Sequence, residues 1–160
     1  MKRNTLLLGL FILALSVGCA DKGVPVVRVT GQVLFEGQPL DEASVTFSPT
    51  TLEGREASGR TNANGEFLLL TQGAVRSGCV PGSYRVTVTK SVPVDSRGNP
   101  IVFTFTDEFD PKAPPPPGME SGVPVFKSIV PDRYGSGETS ELTADVTKRG
   151  RNVFVFELVK

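Results

Sequence analysis

Four short clusters in this 160-residue chain hold side chains that could do chemistry: Asp107-Glu108-Phe109-Asp110, Asp41-Glu42, Asn62-Ala63-Asn64-Gly65 and Gly135-Ser136-Gly137. There are also two cysteines, Cys19 and Cys79, and no histidine. The acids at 107–110 offer the oxygen ligands that a hard cation such as Ca²⁺ prefers. They lack the graded spacing and the glycine of a calcium-binding loop, and read as a solvated acidic edge. Asp41 and Glu42 are adjacent, and on a strand neighbours point to opposite faces, so they are poorly placed as a pair for sugar hydrolysis. Turn chemistry accounts for the asparagines before Gly65. Ser136 sits between glycines as in a nucleophile turn, but no base is present to activate it. Without imidazole there is no Ser-His or Cys-His couple and no His-ligated zinc. The expectation is therefore no catalytic residue, no metal site and no cofactor.

The composition narrows the class further. Lysine plus arginine number 17 and aspartate plus glutamate 17, so the basic excess of an electrostatic nucleic-acid binder is absent and no nucleic-acid partner is expected. Hydrophobic residues make up 39% of the chain, enough for one packed core of ordinary domain size. Tryptophan is absent and the two tyrosines are Tyr84 and Tyr134, which leaves few rings for a sugar site.

The elements that must position these residues begin after a leader. Met1-Lys2-Arg3-Asn4 is a positive start, and Thr5 to Val17 is an apolar run shorter than the ~20 residues needed to span a bilayer as a helix. It ends in Leu15-Ser16-Val17-Gly18-Cys19, which resembles the lipobox of bacterial lipoprotein signal peptides, with Gly18 as the small residue before the cysteine and Ser16 where leucine is usual. The resemblance implies removal of residues 1–18, lipidation of Cys19 and membrane lipid as a partner, with the mature chain on the extracytoplasmic side of the cell membrane or outer membrane. An ordinary secretory signal cleaved near Gly18 or Ala20 is the alternative. Residues 19–25 then form the lipidated cysteine and a short tether, the six residues Ala20 to Pro25 reaching about 20 Å when extended. With Cys19 acylated, Cys79 has no intrachain disulfide partner and reads as a small buried apolar residue near a strand start.

From residue 26 to residue 160 the pattern has period two, and no segment sustains a helix. Val27, Val29, Val33 and Phe35 lie on one face, interrupted by Gly31, with Arg28, Thr30, Gln32 and Leu34 between them, and Glu36-Gly37-Gln38-Pro39 follows as a hairpin-type turn. Ala43, Val45 and Phe47 form the next face; Glu66 to Thr71 reads as one strand. Tyr84, Val86 and Val88 alternate after Pro81-Gly82, and the last strand carries Phe154, Phe156 and Leu158. Short strands with turns every eight to twelve residues predict an all-β, antiparallel sandwich. Residues 91–125 break the rhythm with four prolines, Pro114 to Pro117, that impose polyproline II and cannot pair inside a sheet. This is read as a stiff solvated loop, or as a docking ligand for a proline-recognising groove.

The order of motifs carries a second resemblance. Gly31-Gln32-Val33, Pro39-Leu40, Ala43-Ser44-Val45-Thr46-Phe47, Thr61-Asn62-Ala63-Asn64-Gly65-Glu66-Phe67 and Pro81-Gly82-Ser83-Tyr84-Arg85-Val86-Thr87-Val88 resemble the carboxypeptidase regulatory-like domain. That domain is a transthyretin-like sandwich of seven strands. More narrowly, the chain resembles small bacterial lipoproteins that carry this domain alone, with a C-terminal tract like Ile129-Val130-Pro131-Asp132-Arg133-Tyr134. The resemblance implies a fold and not an activity. Hydroxyisourate hydrolases share the transthyretin-like fold but use histidines that this chain lacks. The functional expectation is a non-enzymatic, membrane-anchored structural or protein-interaction module of the cell envelope, with an envelope protein or glycan as possible partner. A carbohydrate- or peptide-binding protein using loops at one end of the sandwich is the alternative.

Overall fold

A computed structural model of the chain describes residues 23–95, 97–101 and 125–160. The leader, Cys19 and the four prolines lie outside these residues. Eleven short strands run through the described residues: β1 (Val29–Phe35), β2 (Gln38–Pro39), β3 (Ser44–Pro49), β4 (Ala57–Arg60), β5 (Glu66–Leu68), β6 (Leu70–Thr71), β7 (Gly82–Thr89), β8 (Ser91–Val94), β9 (Val125–Ser128), β10 (Thr143–Val146) and β11 (Asn152–Leu158). The helical content among the described residues is a single 3-10 turn, Asp132–Tyr134.

The strands form two main sheets and a separate hairpin. In the first sheet β1 lies between β11 on one side and β2 and β5 on the other. In the second the order is β10-β7-β3-β4-β6. Alternation decides which side chains meet between them. Val29 and Val33 of β1 and Phe156 and Leu158 of β11 are buried, as are Val45, Phe47, Tyr84, Val86 and Val88 of the second sheet. All belong to one core cluster. Phe47 joins the layers, its ring centroid lying 6.3 Å from Phe67, 5.8 Å from Phe154 and 6.0 Å from Phe156.

Three details depart from the sequence reading. The sandwich is not wholly antiparallel, because β1 and β11 pair in parallel, from Val29 opposite Asn152 to Phe35 opposite Leu158. A parallel pair needs a long connection, and here the rest of the domain supplies it; strand alternation carries no sign of direction. The stretch Glu66 to Thr71 is two strands, since β5 pairs with β1 and β6 with β4, and the chain changes sheet at Leu69. Finally, the segment expected to be a loop from residue 91 begins and ends as strand: β8 pairs with β9, Ser91 opposite Ser128 and Val94 opposite Val125. Pro93 within β8 hides that strand from a propensity reading.

Local chemistry explains the tight points. Glu36 and Gly37 have φ of 51° and 75°, the positive pair of a two-residue type I′ hairpin joining β1 to β2. The buried polar side chains are satisfied: Thr61 Oγ1 accepts from the Ala43 N–H at 2.8 Å, Thr71 Oγ1 donates to the Gly78 carbonyl at 3.0 Å, and Ser140 Oγ donates to the Val86 carbonyl.

Gly31 is required by space. It pairs with Phe154 on one side and Phe67 on the other. A Cβ there would stand 2.3 Å from the Phe154 carbonyl oxygen and 2.5 Å from the tip of the Phe67 ring. Gly31→Ala should therefore cost about 1–3 kcal/mol through overpacking. The check is a urea melt, in which the midpoint falls with the slope unchanged.

Candidate functional site

Of the clusters singled out for chemistry, Asp41-Glu42 and Asn62-Ala63 line one depression of about 390 Å³ with Arg60 and Thr61, and their polar side chains are individually engaged. Asp41 is paired with Lys90, whose ammonium holds the Asp41 carboxyl below its ordinary range through a hydrogen bond and charge. Glu42 lies 3.9 Å from Arg60. Each acid thus has its own cation. Asn62 Oδ1 accepts from the Asn64 and Glu66 N–H groups, both at 2.9 Å, and closes the turn. Gly65 completes it with φ of 72°. Ser136 Oγ accepts from the Glu138 N–H at 3.2 Å, a turn contact. The acids at 107–110 lie outside the described residues. Among the described residues no three histidine, cysteine, aspartate or glutamate side chains are grouped as metal ligands would be.

The remaining titratable candidates serve packing. Cys79 is fully buried, bridges backbone to backbone with Val27, and burial pushes its thiol pKa up. A thiol so placed stays protonated and shielded, which is not how a reactive cysteine is built. Tyr84 is buried beside it and donates to the Val80 carbonyl at 2.7 Å; burial raises its phenol as well. Tyr134, the second tyrosine, is also buried. Its oxygen accepts from the Val159 N–H at 3.1 Å, which lowers its pKa, while the Arg133 guanidinium lies 4.8 Å from its ring centroid. Arg133 also donates to the Val159 and Lys160 carbonyls, the latter at 2.9 Å. This clamp on the C-terminal strand has no signature in the sequence, because its partners are 26 and 27 residues away.

What the fold does assemble is two distinct ends. At one, the entering chain packs with the loops that leave β3, β6 and β10. Val27 exchanges both backbone hydrogen bonds with Cys79 at 2.9 Å. Gly23 to Val26 line a depression of about 340 Å³ with Val75 and Arg76. A second depression, about 500 Å³, brings Pro25 to Val27 together with Thr51, Glu53, Gly54, Val80, Pro81 and Lys148. The expected tether, residues 19–25, is thus partly absorbed, since Gly23 to Pro25 already lie against the domain.

The other end carries the hairpin. β8 starts two residues after β7 stops, at the end of β7 opposite to Gly82. Asp95 Oδ1 accepts from the Arg97 and Asn99 N–H groups at 2.9 and 2.8 Å and turns the chain, so that the Ile101 N–H reaches the Pro93 carbonyl at 2.8 Å. On β9, Val125 and Phe126 are exposed at 64% and 62%, a size of apolar surface that strand alternation alone does not account for. Between the ends, the outer face of the first sheet forms a concavity of about 670 Å³ lined by Arg28, Gln32, Arg60, Glu66, Val153 and Val155, among others.

The described residues contain no helix long and apolar enough to cross a membrane. Compared with family models, curated proteins and solved structures, the chain finds no match.

Proposed function

We propose that the protein is a lipid-anchored, extracytoplasmic module of the cell envelope that acts by contact and not by catalysis. Cys19, acylated after removal of residues 1–18, is the anchor, and the body is a transthyretin-like sandwich of the carboxypeptidase regulatory-like type. The observation that carries the reading is the polarity of the domain: the chain enters at one end, and the β8–β9 hairpin leaves from the other. An anchor at Cys19 leaves only four residues to Gly23, about 14 Å at full extension. The entry end is then held at the bilayer, and the β8–β9 hairpin, whose strands flank residues 102–124 in sequence, starts at the end of β7 away from it. Residues 102–124 include the four consecutive prolines, a sequence type that proline-recognising grooves bind at low entropic cost.

A pull-down from intact envelopes tests this with two chains, one complete and one lacking residues 107–124. A protein partner recovered with the complete chain should be reduced at least tenfold, roughly 1.4 kcal/mol or more, with the shortened one. Equal recovery by both chains would contradict the assignment of contact to residues 107–124. The second reading, capture of an extended peptide or glycan, is favoured by the concavity on the first sheet, with guanidiniums of Arg28 and Arg60 beside exposed Val153 and Val155. A partner that survives the deletion would direct attention there.

A further inference from the structure

We infer that the entry end of the sandwich is itself a membrane-docking face for anionic phospholipid. The inference rests on the lipid-anchor reading for its setting, and on the entry-end geometry for its chemistry. The chain is electrically neutral overall, with 17 basic and 17 acidic side chains, but the charges are not evenly placed. Arg28, Arg55, Arg76, Lys148, Arg149 and Arg151 are all exposed and lie on the segments that meet at this end: the entering chain, the β3–β4 loop, the β6–β7 loop and the β10–β11 turn. The acids on the same segments are Glu53 and Glu56, with Asp145 just inside, hydrogen-bonded by Ser83 Oγ at 2.6 Å. Among the described residues, none of these six cations has a carboxylate within ion-pair distance; the ion pairs found are Arg60–Glu42 and Lys90–Asp41, at the opposite end. There, Glu36, Asp41, Glu42 and Asp132 are exposed.

Two apolar tips project from the basic end. Leu52 is 106% exposed and Val75 78%, the two most exposed large hydrophobic side chains described. Each lies in a loop whose start is held by hydrogen bonds. The Thr50 N–H and hydroxyl both donate to the Ser83 carbonyl at 3.0 Å, and the Ala74 N–H donates to the Thr71 carbonyl at 3.1 Å. The basic turn is equally constrained. Asn152 Oδ1 accepts from the Thr147 N–H at 2.8 Å, its Nδ2 returns a bond to the Thr147 carbonyl at 3.0 Å, and Thr147 Oγ1 donates to the Arg149 carbonyl at 2.8 Å. Exposed aliphatic side chains on an end that also carries arginine and lysine suit the boundary between headgroups and acyl chains. Each cation near an anionic leaflet favours binding by about fivefold. A weakly acidic protein surface would meet the charge but not the protruding Leu52. The short reach from Cys19 puts a bilayer within contact of both.

The test uses full-length protein purified from membranes and reconstituted in vesicles of phosphatidylcholine, with or without an equal part of phosphatidylglycerol. An environment-sensitive fluorophore is placed on Leu52→Cys or, at the far end, on Glu36→Cys; buried Cys79 does not compete for it. Emission from position 52 should shift to the blue on the anionic vesicles only, and emission from position 36 should not shift. Arg76→Glu, Arg149→Glu and Arg151→Glu together should lower occupancy of the docked state by about 100-fold or more and abolish the shift. Co-flotation with pure phosphatidylcholine vesicles reads the anchor separately. A chain that co-floats while position 52 stays solvent-like on anionic vesicles would overturn the docking face and leave the anchor standing. Loss of co-flotation with the anionic blue shift retained would do the reverse. A shift that needs added envelope protein would assign the face to an acidic protein and overturn the inference.

Discussion

Cys19→Ser is expected to move the protein from the membrane fraction to the soluble extracytoplasmic fraction and to abolish incorporation of labelled fatty acid. The effect should be large because the anchor is cumulative. Each buried methylene contributes about 0.8 kcal/mol, so a single acyl chain binds reversibly while two hold stably. The diacylglyceryl thioether proposed on Cys19 would supply two, and serine offers no thiol to receive them. Membrane-associated protein should fall by well over tenfold after a high-salt wash, the wash being needed because the proposed docking of the basic end would give a residual, salt-sensitive attachment. The domain itself should be unaffected, since among the described residues no fully buried core side chain lies before Val29 and Val27 is held by its own backbone bonds to Cys79. Unchanged retention after the salt wash would count against lipidation and favour an ordinary secretory cleavage.

Phe47→Ala is expected to bring the fold close to its limit. Phe47 is fully buried in the middle of β3. Its ring meets Phe67, Phe154 and Phe156 of the first sheet, and Tyr84 of its own sheet at 5.8 Å between centroids. Phe67 and Phe156 stack on each other at 6.2 Å with planes 12° apart, so the cluster is one assembly with Phe47 at its centre. Truncating such a residue removes transfer energy and leaves a cavity, at a cost of about 3–5 kcal/mol. A domain of this size has about 5–15 kcal/mol in total. The urea midpoint should fall by at least about 1 M, taking a slope of 1–3 kcal/mol/M. A loss below about 1 kcal/mol would mean that the layers close over the gap and that Phe47 is not the joint between them.

Much of this core was legible because a half-buried strand writes its burial into every second residue. Ala43, Val45 and Phe47, then Tyr84, Val86 and Val88, are buried as the alternation predicts. The turns at Gly37 and Gly65 were legible for a different reason, since positive φ favours glycine there. Pairing partners were not legible. The parallel match of β1 with β11 and the hairpin of β8 with β9 join stretches far apart in sequence, and alternation gives neither direction nor partner. Gly31 looked like an interruption of its strand, whereas its missing side chain is the seat for the Phe67 ring. The charge asymmetry was illegible for the same reason as the pairing. Arg55, Arg76 and Arg149 are scattered along a neutral chain, and only the fold gathers their loops at the end where the chain enters.

The N-terminal peptide of the protein as cells make it tests the central claim most directly. Mass spectrometry of that peptide from the membrane fraction should find a chain that starts at Cys19 and carries diacylglycerol on sulfur, with or without a further acyl group on the α-amine. A peptide that still contains Gly18 joined to an unmodified Cys19, recovered from the cytosol, would contradict the account.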